Sequence, residues 1–345
     1  MTTIINGSSP SITFSDGSAQ TSATRPFQNR IINGAMVIDQ RNAGASVTPS
    51  SNYTLDRWRA YDTQSSKFTI QQDAGAVTPP TGFTDYLGIT STSAYSITSG
   101  DYFSLLQRIE GFNVADLGWG TANAKTVTLS FWVRSSLTGT FGGNLTNANF
   151  SRSYPFSYSI SVANTWEYKT ITIAGDTTGT WLTTNGSGIE VQFAIGVGST
   201  YSGTAGAWTG GWVPSVTGAV SVVGTNGATL YITGVQLEVG STATSFDYRP
   251  YGTELALCQR YFWKPTNEGY GLAVSVYSAA GRLTNPVPMR AAATISSASF
   301  ATSGGPAGTV TSTRQTPYGQ TLYNGSGNWS VTDIIDVSGQ ISAEL

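Results

Sequence analysis

The chain has 345 residues, a formal net charge of −2 and only 10% charged residues, against roughly 25% in ordinary globular proteins. Nucleic-acid binding depends on clustered Lys and Arg. No run of like charges occurs in the sequence, so its composition argues against a nucleic-acid partner. No apolar run approaches the roughly 18 residues of a membrane-spanning helix. The first residues lack the basic start and apolar stretch of a secretory signal, so we expect no membrane insertion and no export.

Histidine is absent, and Cys258 is the only cysteine. These absences exclude an intrachain disulfide and most zinc sites, Ser-His-Asp triads and Cys-His pairs. The main route left to catalysis is a pair of carboxylates, as in glycoside cleavage. The acids are scattered and mostly at turns, and Asp56 beside Arg57 and Glu110 near Arg108 resemble structural ion pairs. We therefore predict no catalytic residue, no cofactor and no metal. Cleavage by carboxylates that meet only in the fold is the alternative.

Residues 1–27 are rich in Ser, Thr and Gly, with one short alternating piece at 11–15. They contain too few apolar groups for a core of their own. We interpret them as an N-terminal attachment arm, ordered against a partner or neighbouring subunits. A disordered tail is the alternative.

Residues 28–250 contain strand-like runs bounded by turn residues, which is typical of an antiparallel β-sandwich of the jelly-roll type. In the clearest run, 126–135, Val127 and every second residue to Val133 face one way, and Trp132 faces the other. Residues 189–197 repeat this alternation. In 230–239 the alternation shifts at Gly234, so we predict a β-bulge there. Weaker strands are expected around 68–70, 103–109 and 166–173.

Residues 251–263 are the one convincing helical segment, and Thr253 is a plausible N-cap. A helix this short and apolar needs partners on most of its sides. Copies of the chain packed about a symmetry axis would supply them, which predicts a linking helix at an interface between subunits. Packing against its own domain is the alternative, and the spacing does not decide between the two. The residues predicted to make these contacts, as the trimerisation set of the homotrimer that the resemblance given below implies, are Leu255, Leu257, Cys258, Tyr261 and Phe262.

Residues 264–345 are predicted to form a small C-terminal β-domain, or β-tip. The pair Asn324-Gly325 is a strong signal for a two-residue hairpin. About 80 residues rich in Gly, Ser and Thr supply a thin core, so association of several copies would help this domain to stay folded.

Aromatic residues in loops are the stronger functional signal. Neutral glycans bind by stacking sugar C–H faces on Trp and Tyr rings, which requires rings that can be desolvated rather than charge. A ring in a loop is more often a core plug or a subunit contact than a platform for a ligand, since Trp is usually largely buried. Trp58, Trp132 and Trp166 lie within strand-like runs, which favours packing for them. The glycan-binding candidates are Trp119, Trp208, Trp212, Tyr318, Tyr323 and Trp329.

The chain resembles a family of bacteriophage fibre and receptor-binding virion proteins, cyanophage-like tail fibres among them. The match covers roughly residues 28–263, and the ordered series of motifs is fairly specific. They are NRIINGAM at 29–36, DQR at 39–41, LDRW at 55–58, QRIEG at 107–111, VTLSFWV at 127–133, VQLEVG at 235–240, ATSFDYRP at 243–250 and ELALCQRY at 254–261.

The resemblance implies a homotrimeric virion fibre, assembled in the host cytoplasm, with affinity for host surface polysaccharide. It also implies that the arm docks to another virion protein, and it would allow a structural calcium ion. A tail fibre that binds glycans without cleaving them is the function that we predict. A purely structural head-fibre or capsid-decorating protein is the first alternative, and an enzymatic tailspike is the second.

Overall fold

The structure, a computed structural model, describes residues 27–265 in full. Outside that range it describes residues 4–6, 11–13, 19–20, 269–275, 278–302, 311–324 and 334–345, with side chains only at 283–295, 315–319, 321 and 340–345. Three short strands of the N-terminal segment form an antiparallel sheet: β1 (Ile4–Asn6), β2 (Ser11–Thr13) and β3 (Ala19–Gln20). Within these residues, no helix combines the length and apolar character needed to cross a membrane.

Two antiparallel sheets make up the central part of the chain. Its strands are β4 (Tyr53–Leu55), β5 (Trp58–Asp62), β6 (Phe68–Gln72), β7 (Leu87–Ser91), β8 (Tyr102–Glu110), β9 (Val127–Ser135), β10 (Gly139–Thr146), β11 (Arg152–Ile160), β12 (Glu167–Ile173), β13 (Ser187–Val197), β14 (Ser202–Gly203), β15 (Thr209–Gly210), β16 (Ser215–Val216) and β17 (Thr229–Val239). The seven-stranded sheet has the order β15-β11-β10-β13-β8-β5-β4, and the five-stranded sheet has the order β12-β9-β17-β7-β6. Strands β14 and β16 pair separately, in parallel.

One hydrophobic core fills the space between the two sheets. Val127 and Phe131 of β9 meet Val191 and Phe193 of β13 there, and none of the four is more than 1% exposed. Because side chains alternate along a strand, the residues between them, such as Trp132 of β9 and Gln192 of β13, lie on the other faces of the two sheets. The predicted antiparallel β-sandwich and its inward-facing positions are thus confirmed.

The predicted bulge at Gly234 is also confirmed. The pairing of β17 with β9 shifts register between Thr233 and Gln236. Gly234 has φ +61°, a left-handed backbone conformation that residues other than glycine rarely adopt. The extra residue keeps both halves of β17 on the same core.

The helix α1 (Tyr251–Gln259) is shorter than the predicted segment, and Phe262–Trp263 is instead a strand, β18. Thr253 is not its N-cap: Pro250 takes that position, without a side-chain hydrogen bond to the helix. A proline suits this place because its fixed φ is ready for the helix and it has no N–H to satisfy.

The apolar side chains of this segment are covered by their own chain. Cys258, Tyr261 and Phe262 are at most 1% exposed. Leu255 and Leu257 are partly buried beside Ile32, Ile38 and Leu345. This packing matches the alternative of a helix against its own domain. The trimer stays a prediction, and the three buried side chains lend it no support.

Beyond the helix, one further antiparallel sheet contains β18 together with β19 (Gly269–Ser275), β20 (Ser278–Thr284), β21 (Thr294–Thr302), β22 (Thr311–Thr316), β23 (Gly319–Asn324) and β24 (Ile334–Ser342). A two-residue hairpin lies at Pro317-Tyr318, where Thr316 pairs with Gly319. Strand β23 ends at Asn324, and the hairpin predicted at Asn324-Gly325 lies outside the described residues.

Ion pairs join the sandwich to the helix and to the chain end, and they differ from the predicted pairs. Arg57, fully buried, pairs with Glu344 rather than with Asp56. Glu110 pairs with Arg260 at 2.7 Å. Asp56 accepts two hydrogen bonds from Gln40, and burial raises its pKa to about 6. Asp56 and Arg57 are adjacent, so their side chains point in different directions. Arg108 pairs with Glu190 of the neighbouring strand at 2.7 Å instead of with Glu110.

Candidate functional site

An open groove lies on the outer face of the five-stranded sheet, with a volume of about 490 Å³. Its floor consists of Ser130 and Trp132 of β9 and Gly234 of β17. Trp132 faces outward because Val133 and Phe131 on either side of it point into the core. A Cβ on residue 234 would lie 2.6 Å from the ring of Phe83 and 3.1 Å from that of Trp132. The bulge glycine therefore allows these two rings to approach the sheet.

Aromatic rings form both walls of the groove. On one side, Tyr168 of the edge strand β12 pairs with Trp132, with ring centroids 5.3 Å apart. On the other side, Phe83, Phe246 and Tyr248 contact one another at 4.8 to 5.5 Å between centroids. Tyr168 is 43% exposed and Tyr248 is 55% exposed. The groove thus offers ring faces to solvent along both sides.

The segment after β17 is fixed over the sheet by two outward polar residues of that strand. The Thr244 hydroxyl donates to Glu238 at 2.7 Å, and the amide of residue 244 donates to the same carboxylate at 2.8 Å. Gln236 accepts from the Asp247 amide at 2.8 Å. The Tyr248 hydroxyl donates to the carbonyl oxygen of Gly82 at 2.7 Å, which ties the second wall to the loop before β7. These bonds hold the rings in place before any ligand arrives.

The chemistry of the groove is that of a neutral binding surface. Apart from the two tyrosines, no residue of its lining is ionisable. Ser130, Thr244 and Ser245 contribute hydroxyl groups, of which that of Thr244 already donates to Glu238 and that of Ser130 belongs to a residue only 2% exposed. Rigid rings with a few convergent polar groups bind flat, partly apolar molecules that carry hydroxyls. Such a groove can stack and orient a ligand. It holds no carboxylate or base that could transfer a proton.

Two of the predicted glycan-binding rings belong to a tryptophan cluster at the sandwich edge. Trp119, Trp181 and Trp208 meet with centroids 4.8 to 5.3 Å apart, and Trp119 is 7% exposed. The indole N–H of Trp119 donates to Lys125 and that of Trp208 to Ala174, both to backbone carbonyl oxygens. Satisfied N–H groups and mutual packing are features of a structural plug. Sugar binding by Trp119 and Trp208 stays a prediction that this geometry does not favour.

Trp212 lies apart from that cluster, on the outer face of the seven-stranded sheet. Its ring contacts Tyr61, Tyr102, Phe150 and Tyr201, with centroids 4.7 to 5.7 Å away. The indole N–H is buried and has no hydrogen-bond partner within the described chain. The loop that carries Trp212 therefore covers this sheet. Its role in sugar binding stays a prediction.

Of the three candidates near the chain end, only Tyr318 has a described side chain. It lies at the tip of the β22–β23 hairpin and is 67% exposed. The side chain of Tyr323 and the whole of Trp329 lie outside the described residues. The predicted cluster of these three rings is thus untested.

Among the carboxylates, Asp73 and Asp85 come close to each other. Burial first, and then the charge of Asp85, raises the pKa of Asp73. Neither lines the groove, and Asp73 is engaged as an acceptor for the Tyr86 amide at 3.0 Å. Within the described part of the chain, no three His, Cys, Asp or Glu side chains gather in a way that could hold a metal ion.

The residues of the groove were not singled out from the sequence. Its strand position favours packing for Trp132, and Phe246 and Tyr248 occur only within the ATSFDYRP motif. Phe83 and Tyr168 are 85 positions apart and share no local pattern with the others. One signal in the sequence did point to this site. The alternation in 127–133 places Val127 and every second residue to Val133 on the core side, so it predicts that Trp132 points away from the core.

No protein-family model matches the chain, and the comparison with curated proteins finds no match. Among solved structures, the enzymatically active domain of bacteriophage CBA120 tailspike protein 4 is similar at 14% identity and TM-score 0.36, over 63% of this chain and 22% of the tailspike chain. A family 11 carbohydrate-binding module from Clostridium thermocellum, in complex with a β-1,3-1,4-mixed-linked tetrasaccharide, is similar at 13% identity and TM-score 0.29, over 58% of this chain and 98% of that one. The module TmCBM61, in complex with β-1,4-galactotriose, is similar at 10% identity and TM-score 0.31, over 63% of this chain and all of that one. Scores this low carry no argument about function, so the sandwich and its groove rest on the geometry of this chain alone.

Proposed function

We propose that the chain binds neutral saccharides in the groove over Trp132, as the host-recognition part of a bacteriophage tail fibre, and does not cleave them. The observation that carries the binding proposal is the groove itself: five aromatic rings and three hydroxyl side chains around an open volume of about 490 Å³. A neutral sugar ring has apolar C–H faces and hydroxyl edges, and these match ring faces and hydroxyls respectively. The assignment to a tail fibre rests on the sequence motifs.

Binding of this kind is expected to be weak at each site. A small ligand that covers a few rings gains on the order of 4 to 6 kcal/mol, which corresponds to dissociation constants from about 1 mM down to tens of micromolar. A virion fibre overcomes such weakness by repetition, because several copies bound to one cell surface dissociate together far more slowly than one copy. The proposed trimer would supply that multiplicity.

The test of the groove is titration of the full chain with neutral oligosaccharides selected on a glycan array. We expect Trp132→Ala and Tyr168→Ala each to weaken binding about tenfold, about 1.4 kcal/mol, with little change in thermal unfolding for the exposed Tyr168. Phe112→Ala is the matched control, since that ring is 61% exposed and lies outside the groove. Equal affinity of all three variants and the native chain would refute the site.

The fibre assignment and the absence of cleavage are tested separately. Light scattering should give the mass of a trimer at micromolar concentration, and a monodisperse monomer would contradict the trimer. Incubation with host polysaccharide should release no new reducing ends. A head-fibre or decorating protein should show no saturable binding to host cells, so whole-cell adsorption separates that alternative from a receptor-binding fibre.

A further inference from the structure

A second pocket, which we call the basic pocket, lies at the opposite sheet, where the seven-stranded sheet meets the chain end. It has a volume of about 530 Å³ and is lined by Arg41, Asn42, Ser51, Asn52, Tyr53, Arg59 and Gln340. Two of these residues are guanidinium cations, and none is a carboxylate. Its lining is therefore opposite in character to the groove over Trp132.

The two guanidinium groups are held in place by aromatic rings. Arg41 lies over Phe262 at 3.7 Å and over Tyr53 at 5.1 Å. Arg59 lies 5.9 Å from Tyr53 and 5.5 Å from Tyr61. Tyr53 is thus flanked by both cations, and ring stacking fixes their positions. Two like charges held around one ring repel each other, and a bound anion would relieve that repulsion.

The nearby carboxylates are already engaged. Glu344 contacts Arg41 at 2.6 Å and also pairs with Arg57, so one negative charge serves two cations. Asp62 accepts a hydrogen bond from the Ser51 amide at 2.6 Å. Arg59 donates from Nε and Nη2 to the carbonyl oxygen of Ser51 at 3.1 and 2.8 Å, and it has no ion pair within the described chain. The charge of Arg59 also acts on the carboxylates of Asp62 and Glu190 without pairing with either, and Glu190 pairs with Arg108 instead. The guanidinium of Arg59 therefore has no carboxylate partner of its own among the described residues.

From this arrangement we infer that the basic pocket binds an acidic sugar unit, one whose ring carries a carboxylate, with Arg59 as the principal contact. A guanidinium and a carboxylate match in charge and in planar geometry. The amide groups of Asn52 and Gln340 suit ring hydroxyls, whereas those of Asn42 and the hydroxyl of Ser51 already bond to Thr54 and Asp62. The pocket is far larger than an inorganic anion needs. The inference extends the proposed function but depends on none of the groove residues.

The test is calorimetric titration of the full chain with a short oligouronate, with the neutral oligosaccharide of the same linkage, and with inorganic phosphate. We expect the oligouronate to bind at least tenfold more tightly than its neutral counterpart in 25 mM salt. Arg59→Gln should abolish that difference, and 300 mM salt should reduce it, because exposed charges are screened. Arg59→Lys should lose part of the affinity, because it keeps the charge without the planar fork. This variant also serves if Arg59→Gln does not fold.

Arg134→Gln is the matched control. Arg134 also donates to a backbone carbonyl and lies over a tyrosine ring, but it is on the other sheet. Unchanged oligouronate binding in both Arg59 variants would overturn the inference, as would phosphate binding as tight as that of the sugar. Loss of oligouronate binding in Trp132→Ala would also overturn it, since it would place the acidic sugar in the groove. The two proposals can also be separated in the other direction. If neutral sugars do not bind but oligouronate binding still depends on Arg59, the sugar site in the groove is refuted and the basic pocket is supported.

Discussion

The outer faces of the two sheets carry similar kinds of side chain but differ in what covers them. Each presents aromatic rings beside small polar side chains: Trp132 with Ser130 on the five-stranded sheet, and Tyr61 and Tyr102 with Ser104 on the seven-stranded sheet. Ser130 and Ser104 are both buried, and the faces differ in what lies over the rings. On the first face Tyr168 and Tyr248 are 43% and 55% exposed. On the second, the ring of Trp212 packs against Tyr61 and Tyr102.

The difference arises from the segment between β13 and β17. It runs back across the seven-stranded sheet: the Val220 amide donates to Thr140 of β10 at 2.8 Å, and the Val213 amide donates to Ser153 of β11 at 3.1 Å. A Cβ on Gly142 would lie 2.5 Å from the Ser215 hydroxyl oxygen. The rings on the outer face of the seven-stranded sheet are thus packed under this segment. The shorter segment after β17 leaves a groove on the outer face of the five-stranded sheet. Where a ring contributes to stability and where it contributes to binding should therefore be separable by mutation.

The largest effect that we expect is on stability, at the covered face. Trp212→Ala should lower the free energy of unfolding by about 3 kcal/mol, because it removes an indole packed among four rings. Trp212→Phe should cost about 1 kcal/mol, since the indole N–H has no partner to lose within the described chain. Urea unfolding measures both variants. If Trp132→Ala lowered the free energy of unfolding as much as Trp212→Ala does, the two faces would not differ in their contribution to stability.

The sequence predicted the inner faces of the sheets better than the outer ones. Strict alternation in 127–133 and 189–197 fixed which side chains point inward, because burial of one face dictates the period of two. Strands β10 and β11 were not predicted, since segments such as Gly139–Thr146 are rich in Gly, Thr and Asn and look like turns. Tertiary packing overrides their low strand propensity.

The site was harder to predict than the fold for a physical reason. Whether an outward ring is open depends on which distant loop covers it, and no local pattern records that. The glycine-rich loop before Trp212 predicts an accessible ring, and the strand around Trp132 predicts a packed one. In the structure Trp132 lines the groove, and Trp212 packs against other rings. The helix α1 shows the same limit. Its apolar surface predicts that something packs against it, but no local pattern tells whether that is the same chain or another copy.

Gly234 offers a second, smaller effect at the open face. Gly234→Ala should lower the free energy of unfolding by about 2 kcal/mol, because a left-handed φ is unfavourable for alanine and the new methyl group would contact Phe83. It should also weaken neutral sugar binding, since Phe83 would have to move. Gly218→Ala is the matched control: φ is +79° there and nothing lies within 4 Å of an added Cβ, so only the backbone cost of about 1 kcal/mol is expected. Urea unfolding measures both variants. Equal losses in the free energy of unfolding would show that a methyl group at residue 234 does not clash with Phe83.

The smallest effect should be that of pH and salt on the groove. Tyrosines are the only ionisable groups in its lining, and burial raises the pKa of Tyr248 above its ordinary value near 10. A raised pKa in an acid means that the folded protein favours the neutral phenol, so the Tyr248 hydrogen bond to Gly82 is fully present below pH 10 and is lost only as pH rises through the higher value. Neutral sugar affinity should therefore stay constant from pH 5 to 9 and from 25 to 300 mM salt, whereas the binding proposed for the basic pocket should weaken over the same range of salt. A bell-shaped pH profile for the neutral ligand would instead place a carboxylate or another titrating group at the bound sugar, and would favour cleavage over simple binding.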